Sequence, residues 1–123
     1  MTDSSGGESQ ERREVERKYL VYYLRVFDGM SSKVLGHIIN LSSRGAMLLS
    51  DDAIAVNKDF RLRIQLPAEA SERRDLMLDA TSLWCKKDTN PNFFLAGFQI
   101  HDLKLSEKND IHHLLDKLSY LED

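Results

Sequence analysis

Apolar residues recur at every second position through most of this chain, and the period changes only near the end. The clearest case is Phe60, Leu62, Ile64 and Leu66, which alternate with Arg61, Arg63 and Gln65. Alternation of that kind places one face of a β-strand on a core and the other in water. KYLVYYLRVFD is rich in aromatic and β-branched residues and predicts a strand over Leu20 to Phe27. DGMSS then turns the chain, with Gly29 free to take a positive φ. Further strands are predicted over Lys33–Asn40, Ala46–Ser50, Phe60–Leu66, Leu76–Lys86 and Phe93–Ile100. The loop NLSSRG separates the second from the third, and Pro67 ends the fourth. AEASERRD and DTNPN supply the last two connections.

Beyond residue 105 the spacing becomes helical. Ile111, Leu114, Leu115, Leu118 and Leu121 fall on one stripe. Ser106 is the natural N-cap, and Glu107 in the first turn complements the helix dipole, which predicts an amphipathic helix over 106–121. The expected architecture is all-β with a terminal helix: a six-stranded antiparallel β-barrel plus a C-terminal α-helix. Closure removes the exposed edges that such a sheet would otherwise present. Residues 1–11 are small, polar and acidic and are expected to be a disordered tail; residues 12–121 form the single domain.

Charge narrows the choice of function. Seventeen basic and twenty acidic residues give a net charge of −3, against the basic excess that DNA or RNA binding requires. A few local arginines can still hold a small anion. The longest apolar runs are far short of a membrane span, and the N-terminus has no apolar h-region. The lone cysteine, Cys85, has no internal disulfide partner, so the expected location is cytoplasmic.

Two short stretches stand out chemically. NLSSRG can be a plain turn, since Asn and Ser side chains bond to nearby backbone and Gly45 supplies a positive φ or a bulge. RREVER carries Arg13 and Arg17 at an i,i+4 spacing, which alone is consistent with a solvated linker. Taken together and in order, Arg13-x-x-x-Arg17 followed by Asn40-x-Ser42-x-x-Gly45 resembles the signature of the PilZ domain family. The predicted barrel and closing helix are similar to that family's fold over roughly residues 11–121, and LWCKKD and GFQI loosely resemble its closing hairpin.

The resemblance implies a bacterial receptor for cyclic di-GMP, a ligand with two phosphates and two guanines, and no other cofactor. Arginine's planar fork matches guanine O6 and N7, or phosphate oxygens, in a way lysine cannot. The resemblance assigns Arg13 and Arg17 to guanine and phosphate, and Asn40, Ser42 and Gly45 to the opposite wall. Arg12, directly before the motif, is the position that the family associates with a stacked pair of ligands. With few apolar anchors before Tyr19, that segment is expected to order onto the barrel when ligand binds. The signal would pass to an unidentified signalling or motility protein.

Other chemistry is not supported. His112 and His113 are adjacent and diverge on a helix, and His112 with Asp116 offers too few ligands for a metal. No phosphate loop or G-x-S-x-G is present, so no enzyme is expected. Trp84 belongs to the core or the barrel rim, with ligand stacking as the alternative. Two further readings stand beside the receptor: a docking adaptor of the same fold with weak or no nucleotide binding, and a small barrel that binds single strands on Tyr19, Tyr22, Tyr23 and Phe27.

Overall fold

A computed structural model describes residues 18–67 and 75–121 of the 123. The strands are β1 (Lys18–Asp28), β2 (Val34–Leu41), β3 (Gly45–Ser50), β4 (Asp59–Gln65), β5 (Asp75–Lys87) and β6 (Phe94–His101). Helix α1 (Leu105–Leu118) follows, and a short β7 (Ser119–Leu121) ends the described chain. Strands neighbour one another in the order β2-β3-β6-β5-β4-β1, and β1 pairs back onto β2. That last pairing closes a six-stranded antiparallel barrel, as the alternation predicted.

The core is what alternation points inward. Leu62 and Ile64 of β4, Leu76 and Leu78 of β5, Leu48 of β3 and Val26 of β1 are almost wholly buried. Each such side chain contributes about 1.5–3 kcal/mol. Phe60 and Phe98 meet edge-to-face inside the barrel at 5.7 Å. Helix α1 packs against β1 and β7 and adds Ile111, Leu114 and Leu115 to the same core.

The helix differs from the sequence reading at both ends. It begins at Leu105, and the Glu107 carboxylate accepts a hydrogen bond from the Lys104 backbone N–H at 2.9 Å. Glu107 therefore closes half of a capping box on Lys104, and Ser106 is not the cap. The helix stops at Leu118, not at residue 121. Residues 119–121 pair as a strand with Leu20–Lys18, because β1 offers an open edge there and its backbone groups need partners.

Two β-bulges shape the outer face of the barrel. In β2 the register against β3 slips between Ile38 and Asn40, leaving Ile39 as the extra residue. In β5 the register against β6 slips between Ser82 and Trp84, leaving Leu83 as the extra residue. A bulge inverts the alternation beyond it. Ile38 and Leu41 therefore both face the core although they are three apart, and Asn40 between them faces out. Likewise Ser82 and Cys85 face in while Trp84 faces out, 38% exposed.

At the other end of the barrel, Arg63 holds the DGMSS turn. Its Nε donates to the Gly29 carbonyl at 2.8 Å and its Nη2 to the Ser31 carbonyl at 2.7 Å. The guanidinium also lies over the Phe27 ring, 4.4 Å from its centre, and 3.7 Å from Asp75. Gly29 takes a φ of +56°, as the turn requires.

Candidate functional site

The corner between β2 and β3 is built on Ser42. Its backbone N–H donates to the Gly45 carbonyl at 2.9 Å. Its hydroxyl oxygen accepts from the Arg44 N–H at 3.1 Å and the Gly45 N–H at 3.3 Å. With its oxygen so engaged, the hydroxyl has its proton left to donate outward. The Arg44 carbonyl accepts from the Ile100 N–H at 2.9 Å, which ties the corner to β6. The Arg44 side chain is exposed.

Gly45 is not the left-handed turn residue that the turn reading expected. Its φ is not positive; Gly29 is the one glycine with that conformation among the described residues. A Cβ at position 45 would instead stand 2.6 Å from the backbone carbonyl oxygen of Phe98. The glycine lets β3 come close to β6, and no left-handed turn is involved.

Asn40 is half-buried and pairs with Met47 of β3 on one side and Tyr19 of β1 on the other. Residues directly opposite in a ladder share a face. The row continues from Met47 to Gly97 of β6 and from Gly97 to Trp84 of β5. The indole lies across Gly97 so closely that a Cβ there would meet its ring atoms. Lys86 Nζ stands 5.6 Å from the centre of the same ring. Asn40, Met47 and the Trp84 indole thus form one outward shelf beside the Ser42 corner. The sequence reading kept ligand stacking by Trp84 only as an alternative, because Asn40 and Trp84 are 44 positions apart and only the pairings of β3 with β6 and of β6 with β5 join them.

The next row carries polar groups. Gly45 pairs with Gln99, Gln99 with Thr81, and Thr81 with Asp59. The Thr81 hydroxyl donates to Asp59 Oδ1 at 2.7 Å, so His101 Nε2–H donates to the Thr81 oxygen. An open cavity beyond this row is lined by Asp59, Arg61, Asp79, His101 and Asp102, and an Arg61–Asp79 ion pair spans it at 3.1 Å. Among the described residues, no three His, Cys, Asp or Glu side chains stand close enough to hold a metal ion. On the other side of the shelf, partial burial and the positive charge of Arg25 hold the His37 pKa below its usual value.

Asn40, Ser42 and Gly45 therefore come together in one corner. Arg12, Arg13 and Arg17, and the tail over 1–11, lie outside the described residues. No helix among the described residues is long and apolar enough to cross a membrane.

The structure is thus a closed six-stranded barrel with a helix packed on it, presenting an Asn-x-Ser-x-x-Gly corner on its outer wall. The sequence profile of the PilZ domain matches residues 11–117, and the chain belongs to that family. Several solved structures share the fold. The PilZ domain of YcgR from Escherichia coli, solved with c-di-GMP, superposes with a TM-score of 0.67 at 13% identity, covering 87% of this chain and 91% of that one. The inhibitor of motility MotI/DgrA from Bacillus subtilis gives a TM-score of 0.64 at 15% identity, covering 86% of this chain and 51% of that one. Among curated protein sequences, none matches.

Proposed function

We propose that this chain is a cyclic di-GMP receptor that holds the ligand between Arg13, Arg17 and the Asn40–Gly45 corner, and passes the signal to a partner protein. The observation that carries this reading is the start of β1. Lys18 pairs with Leu41 and Tyr19 with Asn40, so the chain enters the barrel against the corner itself. Arg17 is one peptide unit, about 3.8 Å, before Lys18. That connectivity supports assigning Arg17 to a ligand seated on Ser42.

The chemistry divides by residue type. Arg13 and Arg17 donate in pairs to phosphate oxygens or to guanine O6 and N7. Ser42 contributes its remaining proton to an acceptor, and Asn40 donates and accepts at a base or ribose edge. Gly45 acts through the backbone, by seating the corner on β6. The shelf of Met47 and Trp84 gives a guanine an apolar surface to stack on. Arg12 extends the basic run for a second stacked ligand molecule. The YcgR domain, solved with c-di-GMP on the same fold, supports the choice of ligand.

Binding draws residues 11–17 onto the corner and alters the surface that the partner meets. Titration calorimetry with cyclic di-GMP tests the reading. Binding by the wild type, with a strong loss in Arg17→Ala and a smaller one in Asn40→Ala, is expected. Ligand at 100 times Kd should stabilise the fold by about 2.7 kcal/mol. Amide exchange over residues 11–18 should slow at saturation. A wild-type protein that binds GTP or an oligonucleotide equally well, or binds nothing, rules the proposal out.

A further inference from the structure

We infer that Gln99 is an additional ligand-binding residue, donating a hydrogen bond from its carboxamide across the gap above Gly45. The inference rests on the cyclic di-GMP reading above, and it extends the site from the β2–β3 corner to β6.

Gln99 faces outward, is exposed, and stands directly opposite Gly45 in the β3–β6 ladder. Adjacent strands lie about 4.8 Å apart, so its backbone is one strand spacing from the motif glycine. Glycine presents no side chain on that face, so nothing at position 45 separates the carboxamide from the Ser42 corner. The relative placement is fixed, since the next residue, Ile100, donates its N–H to the Arg44 carbonyl at 2.9 Å.

Its neighbours are otherwise engaged. Along β6, the outer side of Gly97 is roofed by the Trp84 indole and His101 is bonded to Thr81. Thr81, the other cross-strand neighbour of Gln99, is bonded to Asp59. The Gln99 carboxamide makes no hydrogen bond to another described residue. It stands between the Trp84 shelf and the Ser42 corner, in line with the surface on which the ligand is proposed to lie.

The direction of the bond follows from the ligand's chemistry. Phosphodiester oxygens and the Hoogsteen edge of guanine are acceptors, and a carboxamide offers two N–H donors without adding charge. Glutamate keeps the shape of glutamine, loses both donors and repels a phosphate.

Three proteins tested by calorimetry against cyclic di-GMP decide the matter: wild type, Gln99→Leu and Gln99→Glu. Both variants should melt, unliganded, where the wild type does, because an exposed strand position without partners carries little stability. Gln99→Leu should bind about fivefold to tenfold more weakly, and Gln99→Glu should lose at least as much. On ligand addition, the side-chain amide resonances of Gln99 in the wild type should shift. Wild-type affinity in either variant overturns the inference, as do unmoved amide resonances at saturation. If the wild type itself does not bind, the receptor reading fails and this one fails with it. Loss in Arg17→Ala without loss in Gln99→Leu overturns this inference alone.

Discussion

Gly45→Ala is the sharpest test of how the corner is built. The added Cβ would stand 2.6 Å from the Phe98 carbonyl oxygen, where ordinary contact begins at 3.4 Å, so the two strands must part by about 0.8 Å. The neighbouring Ile100 N–H to Arg44 carbonyl bond, now 2.9 Å, would stretch towards about 3.7 Å and cease to count as a hydrogen bond. A lost backbone bond costs about 1 kcal/mol. Forcing a methyl into a close-packed contact adds about 1–2 kcal/mol. The sum is about 2–3 kcal/mol. An unfolding entropy of about 2.1 cal/mol/K per residue gives about 0.26 kcal/mol/K for 123 residues, and so a melting temperature lower by about 8–12 °C. Urea unfolding and thermal melting both read this. Gly29→Ala is the control: its φ is +56° but no atom lies within 4 Å of the added Cβ, so only backbone strain of about 1 kcal/mol is expected. A Gly45→Ala protein within about 0.5 kcal/mol of wild type, or no worse than Gly29→Ala, would refute the close-approach account.

Three other outcomes are expected. Arg63→Lys should cost about 2 kcal/mol in urea unfolding, since lysine cannot donate to the Gly29 and Ser31 carbonyls at once while covering Phe27. Ser42→Ala should destabilise by about 1 kcal/mol even without ligand, because two corner N–H groups lose their acceptor; Ser42→Thr should restore most of it. Burial, and then the positive charge of Arg25, lower the folded pKa of His37 below its ordinary value of 6.5. The unfolded chain then binds the proton first, and stability should fall as pH drops from about 6.5 through the lower folded pKa. In His37→Gln that part of the pH dependence should vanish.

Much of this protein was legible in its order of residues. Six strands and a helix follow from hydrophobic periods of two and 3.6, and those periods are local properties of the chain. The two motifs could be read the same way, since each is a short run of residue types. The ends of α1 were less legible. Glu107 signalled a start without fixing whether the capping residue was Ser106 or Lys104. The leucine stripe continued past the point where β1 drew residues 119–121 into a ladder.

The site itself was decided only in three dimensions. Strict alternation from Ile38 would turn Asn40 into the core, and alternation from Ser82 would bury Trp84. Single-residue bulges at Ile39 and Leu83 reverse both and place the two side chains on one outer row. Nothing local marks those bulges, because each arises from the register of one strand against its neighbour. The same holds for Gly45, whose need for glycine comes from a carbonyl 53 residues away, and for Gln99, which stands opposite it. Periodicity sets which residues favour a strand, and long-range pairing sets which of them face one another.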